Sequence, residues 1–282
     1  MNTRWILIPV LFAILLPLNA CSSPEEKAAH SLLEKAHIEY TNGAYDIAIQ
    51  LLDSIHMTYP TLIKERQRAL ALSQEVKFAK STADSARVAP MLEEAVQSLE
   101  KMHRYFSELS YPDLPDETIL RYKGLDASSN PRQPFLDAYL EHNGRLQLIA
   151  GCASRKLQRI EYITALETRG DTYVSSDTIP YEGGRNYRFT SDNLVFERLT
   201  LSTDAGKRIA AFIATIPIST PIRVTFFSGT GEKKHSFVLS QKERTAIKGC
   251  YDYFSTYVSI KDMEDILNKH EQRRLRYNLA KV

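Results

Sequence analysis

Cysteine is scarce in this chain, with three among 282 residues, which excludes a small scaffold stapled by many disulfides. Glycine is equally sparse at 11 residues, far below what a collagen-like chain requires. Neither sign of charge is in excess: Lys and Arg number 36 against 34 Asp and Glu, a formal charge of +2. That balance excludes nucleic acid as the partner, since neutralising phosphates demands a basic surplus. No apolar run reaches the ~20 residues of a membrane helix; the longest, residues 5–18, has about 14. Catalytic signatures are missing too. There is no Gly-x-Ser-x-Gly elbow, no Lys-bearing phosphate loop and no Rossmann glycine pattern. None of the seven histidines (30, 37, 56, 103, 142, 235 and 270) stands three to five residues from another, as zinc ligands commonly do. The expectation is therefore no metal, no cofactor and no enzymatic activity. What is present is the composition of an ordinary globular protein, 43% hydrophobic and 25% charged, which excludes wholesale disorder.

The short apolar run follows Arg4 and leads to Ala20 and Cys21, the layout of an export signal. Ordinary secretory cleavage prefers small residues at the third and first positions before the cut, yet the third is bulky Leu18. The tetrapeptide Leu18-Asn19-Ala20-Cys21 resembles the lipobox of bacterial lipoproteins. The resemblance implies removal of residues 1–20 and acylation of the Cys21 thiol, and two or three acyl chains make attachment effectively permanent. Ser22, in place of Asp, implies the outer membrane by the same resemblance; Glu25 and Glu26 resemble acidic surface-export tags. Periplasmic and outer-surface faces both stay open. In an oxidising compartment the remaining Cys152 and Cys250 permit one disulfide, provided their Cα atoms come within about 7 Å. The alternative is burial as small apolar residues.

Residues 28–59 carry apolar side chains at helical spacing, broken once at Asn42-Gly43, which predicts a helical hairpin. Ala36, Gly43, Tyr45, Ala48 and Pro60 resemble the spacing of a tetratricopeptide repeat over residues 29–62, with Leu32 where Trp is usual. Antiparallel helices approach closely only over short side chains, and one repeat cannot bury its own face. The hairpin must pack on a later segment of the chain. The repeat resemblance implies a partner-binding face made by His30, Leu33, His37 and Tyr40, which share one side of the first helix; alternatively they pack against the third helix or stand idle in solvent. Residues 62–83, without Gly or Pro and with Leu62, Ala69, Leu72, Val76, Ala79 and Ala83 on one near-heptad stripe, predict that third helix. Across Pro90 the stripe Val88, Leu92, Ala95, Leu99, Met102, Phe106 and Leu109 has coiled-coil periodicity. A reversal between Thr82 and Pro90 is expected because proline disrupts helix interiors, making an antiparallel helix pair.

Residues 110–134, rich in Pro, Ser, Asp and Asn, read as a linker. The apolar period then becomes two, predicting strands at 135–141, 145–150, 159–167, 171–175, 194–202, 208–216, 222–228 and 235–239. Turns fall at Asn143-Gly144, Arg169-Gly170, Asp204-Ala205-Gly206 and Gly229-Thr230-Gly231. From Ser240, with Glu243 three residues on, a capped helix begins; Ile247, Cys250, Phe254 and Val258 would cover the sheet. The expected fold class is α+β: a leader at 1–20, a helical tetratricopeptide-like and coiled-coil region at 21–109, the linker, and an antiparallel β domain with a C-terminal helix at 135–282. Thr178-Ile179-Pro180-Tyr181, Asn186-Tyr187-Arg188-Phe189 and Phe212-Ile213-Ala214 resemble a family of uncharacterised bacterial envelope lipoproteins, a likeness that implies this architecture and no activity.

The expected function is that of a non-catalytic, membrane-anchored envelope lipoprotein that binds a protein partner. A glycan-binding module using Tyr162, Tyr173, Tyr181 and Tyr187 is the alternative, followed by a hydrolase of cell-envelope polymers with two carboxylates about 5 to 9.5 Å apart. The basic Lys269, Arg273, Arg274, Arg276 and Lys281 suit a helix C-terminus or an anionic lipid or polysaccharide.

Overall fold

The computed structural model describes residues 23–111, 114–124, 132–181 and 184–279. The fold is α+β, with N-terminal helices, antiparallel sheets and a C-terminal helix. It divides into two compact units. One holds the described residues up to Asp84 together with those from His270 onward; the other is Ser85–Lys269.

In the helical unit, α1 (Pro24–Thr41) starts at a reciprocal cap. Ser23 Oγ accepts from Glu26 N at 3.1 Å while Ser23 N donates to Glu26 Oε2 at 3.0 Å, satisfying two donors the helix itself cannot. Gly43, at φ +77°, reverses the chain into α2 (Tyr45–Thr58). Ala36 and Ala48 are fully buried where the helices meet, together with Leu52 and Ile55. The hairpin's remaining apolar face is closed by Ala69 and Val76 of α3 (Ile63–His103).

Here the structure corrects the sequence reading. No reversal occurs at Pro90, which sits inside a single 41-residue helix. The coiled-coil stripe does not pair with residues 62–83. In the second unit Val88, flanked by Leu92, Ala95 and Leu99, packs with Ile260, Met263 and Leu267 of α5 (Gln241–Leu279). The direction is antiparallel, since His103 Nδ1 lies 3.4 Å from Tyr253 Oη at the other end of the contact. A helix-interior proline costs ~3 kcal/mol, whereas burying one large aliphatic side chain returns about 1.5–3 kcal/mol. Several such residues in the stripe outweigh the proline.

Among the described residues the second unit contains ten strands: β1 (Phe106–Tyr111), β2 (Leu114–Tyr122), β3 (Phe135–Glu141), β4 (Leu146–Ser154), β5 (Tyr162–Glu167), β6 (Tyr173–Ser175), β7 (Asn186–Ser191), β8 (Leu194–Thr200), β9 (Ile222–Phe227) and β10 (Lys233–Val238). They form a six-stranded sheet, β1-β2-β3-β4-β8-β7, and a four-stranded one, β10-β9-β5-β6. Every described pairing is antiparallel. The core joins Leu136, Ala138, Leu148 and Leu199 of the larger sheet to Ile163, Val224 and Phe226 of the smaller one and to Ile247 and Cys250 of α5.

Three further readings change. The expected linker holds the end of β1 and all of β2, whose Leu120 pairs with Leu140 of β3; residues 112–113 and 125–131 lie outside the described residues. The expected strand at 208–216 belongs to α4 (Thr203–Thr215), and Asp204-Ala205-Gly206 is its first turn rather than a hairpin turn. Ala205, Gly206, Ile209, Ala210 and Ile213 are all buried, a helical spacing, and Ser202 Oγ caps Ala205 N at 3.4 Å. The turn between β7 and β8 is instead made by Asp192 and Asn193, both at positive φ, as a two-residue hairpin requires. On α5, Ser240 and Glu243 form the expected capping box. Ile247 and Cys250 are fully buried, but Val258 is exposed. Among the described residues no helix is long and apolar enough to cross a membrane.

Candidate functional site

The helical unit holds an open groove of about 690 Å³ between α1 and α3, lined by His30, Leu33, Glu34, His37 and Ile38 from one helix and by Arg68 and Leu72 from the other. A repeat of three to four residues along α1 places these side chains on one stripe. Leu33 is buried in the helical core, with Leu72 packed against it, so the floor is apolar. Ile38 is 55% exposed. The rim is polar: His30 Nε2 stands 3.4 Å from the Glu34 carboxylate Oε1, and Arg68 Nη1 donates to Glu65 Oε1 at 2.8 Å. An apolar floor with charged groups of both signs around it suits an extended or helical peptide segment.

Of the residues implied by the repeat resemblance, His30, Leu33 and His37 line this groove and Tyr40 does not. Tyr40 lies one turn beyond, half-buried on the core, with its ring 6.2 Å from those of Tyr45 and His37. The sequence reading missed Glu34 and Ile38, which flank the named positions, and Arg68 and Leu72, which come from a helix more than thirty residues away. Leu72 carried a signal, being on the apolar stripe of the third helix, but as core.

Cys21, the residue expected to carry lipid, and the expected leader before it lie outside the described residues. Cys152 and Cys250 are buried and free, so the disulfide that parity permits is not made. Cys250 Sγ donates to Ala138 O at 3.6 Å, and Ala138 faces Leu148 across the ladder. Cys152 is four residues further along β4, roughly 13 Å at strand rise, beyond bridging distance. Burial, and then the Glu197 carboxylate, push the Cys152 thiol up to about 12. Burial raises Cys250 as well, with Asp137 adding to it.

Among the described residues the β-rich unit has two strongly buried carboxylates, Asp137 and Glu197. Asp137, 1% exposed, has Arg121 Nη2 at 3.6 Å. Glu197 accepts from the backbone N–H of Gln158 at 2.6 Å and of Ile160 at 3.1 Å, and has Arg188 Nε at 3.4 Å. Glu197 pairs with Cys152, on the core face, whereas Asp137 alternates with the core residues Leu136 and Ala138 and projects from the other face. The two are thus held apart by the sheet. Among the tyrosines, Tyr173 and Tyr181 are exposed, Tyr162 stacks on Phe227 at 4.9 Å and Tyr187 accepts from Arg198 Nη1 at 3.2 Å. They are dispersed over separate elements rather than gathered on one platform. Among the described residues no group of three His, Cys, Asp or Glu side chains is arranged to hold a metal ion. No protein-family model, curated protein or solved structure matches this chain.

Proposed function

We propose that this protein is a non-catalytic envelope lipoprotein, acylated at Cys21 and held on the outer membrane, that receives a segment of a partner protein in the α1–α3 groove. The observation that carries the reading is the groove itself: Leu33 and Leu72 supply an apolar floor beneath His30, Glu34, His37 and Arg68. A three-helix unit that left no such furrow would argue for a purely structural role. The lipobox resemblance at residues 18–21 supports the anchor, and a tethered molecule that presents an open groove suits scaffolding at a membrane.

Two experiments test it. A photo-crosslinking residue replacing His37 in the intact lipoprotein, in its native envelope, is expected to capture a defined protein that the same residue at exposed Lys35 does not. Equal capture at both positions, or enrichment of glycan alone, overturns the partner reading. Cys21→Ala is expected to release the chain from the membrane fraction; retention overturns the anchor.

A further inference from the structure

The last turns of α5 carry cations in two different circumstances. Arg274 donates to Glu271 at 2.7 Å and Lys269 to Asp265 at 2.5 Å, each within the helix. Arg273 and Arg276 form no ion pair or hydrogen bond among the described residues, and neither does Lys77 of α3. These three converge, with Gln74, Phe78 and Tyr277, on one groove of about 400 Å³ in the helical unit. No carboxylate lines it. At its centre the Phe78 and Tyr277 rings stack with centroids 4.4 Å apart and planes within 6°.

Like charges gathered without counter-charges repel one another. The neighbouring Arg274 shows that this helix can pair its cations when an acid is placed three residues away. The groove therefore concentrates positive potential around a half-buried aromatic pair. Cations with aliphatic stems beside aromatic rings form the side-chain set that settles at a bilayer surface, with rings at headgroup level and charges on the phosphates.

We infer that the Lys77–Arg273–Arg276 groove docks on an anionic phospholipid bilayer, its guanidinium groups donating to headgroup phosphate oxygens. It shares no residue with the α1–α3 groove. The choice of a bilayer over another polyanion rests on the membrane-anchored reading proposed above. Such a contact would give a lipid-tethered chain a second point of attachment and so fix how its helical unit is presented. Lys281 lies outside the described residues.

The test uses the chain without its first 20 residues and with Cys21→Ser, which keeps every described residue and removes acylation from the measurement. Co-sedimentation is expected with vesicles of equal parts phosphatidylcholine and phosphatidylglycerol, but not with phosphatidylcholine alone, and is expected to weaken as salt rises. The Lys77→Gln/Arg273→Gln/Arg276→Gln variant should lose about 100-fold in vesicle affinity, at about fivefold per cation near an anionic surface. The Lys269→Gln/Arg274→Gln control should stay within about threefold, with circular dichroism confirming that both variants are folded. The inference is overturned by equal loss in the control, by binding to neutral vesicles, or by binding to dextran sulfate without binding to vesicles. Anchoring is judged separately, by mass spectrometry of the Cys21 peptide from native membranes, so failure of one reading is distinguishable from failure of the other.

Discussion

Replacing Arg244 with Met removes a cation that works as a backbone clamp. Arg244 is 3% exposed, and its guanidinium donates to four carbonyls of the segment leaving α4: Ile216 at 2.8 Å, Pro217 at 3.1 Å, Ile218 at 2.8 Å and Thr220 at 2.5 Å. Met preserves most of the stem but none of the donors. A buried acceptor left without a partner costs about 1–3 kcal/mol; water can reach part of this loop, and the variant no longer bears the cost of burying a charge. The burial penalty is visible in Arg244 itself, whose guanidinium is shifted down by desolvation. The expected net loss is about 3 kcal/mol. With a urea dependence of about 2 kcal/mol per molar, the unfolding midpoint should fall by about 1.5 M. Far-ultraviolet circular dichroism and tyrosine absorbance, followed through the same titration, measure it. Arg244→Lys should recover less than half, because a single ammonium group has only three donors and no planar fork. A Met variant within about 0.5 kcal/mol of the parent would refute the reasoning, since the carbonyls would then be as well satisfied by solvent.

Three other outcomes are expected. In a Cys21→Ser chain the two remaining thiols, Cys152 and Cys250, should resist a disulfide-exchange reagent at pH 8 while folded and react after denaturation, because burial holds the Cys152 thiol up at about 12 and raises Cys250 too; a reductant-dependent drop in the melting temperature would instead reveal a bridge. His235 is shifted down by burial, against a smaller opposing effect of Glu197, so the unfolded chain takes up the proton more readily. The His235 contribution to stability is therefore complete above the unfolded value of about 6.5 and is lost as pH falls below it, levelling off once the folded value is passed. His235→Gln should flatten the fall in urea midpoint between neutral and mildly acid pH, and an unchanged profile would count against it. Pro90→Ala should stabilise the chain by about 2 kcal/mol, by restoring a donor to the carbonyl of Ala86 within a continuous helix; no change in melting temperature would mean that the helix is broken there after all.

The helical hairpin was readable because its determinants are local. Ala36, Gly43 and Ala48 each act within a few residues of where they stand, as do Ser240 and Glu243 at the start of α5. The expected strand at 135–141 coincides with β3, where Leu136, Ala138 and Leu140 alternate into the core. Segments dense in apolar residues were harder. Residues 208–216 satisfy a helical and a strand period at once, and only their packing over Leu148, near which Gly206 sits, decides for α4. β7 escaped notice because its inward residue, Asn186, is polar; it is buried by donating to the carbonyls of Ile160 and Ile179. The partner of the coiled-coil stripe lay about 170 residues away, a separation at which spacing carries no information. The groove was half legible for the same reason, since α1 contributed a pattern and α3 contributed only contacts.

The helical unit is discontinuous in the chain, because it needs residues from His270 onward as well as those up to Asp84. During synthesis Phe78 therefore waits for Tyr277 until the whole β-rich segment has emerged, and the aromatic stack between them becomes a late checkpoint. A chain cut short ahead of that stack would leave the flank of α3 uncovered and the helical unit unfinished, however complete its N-terminal segment.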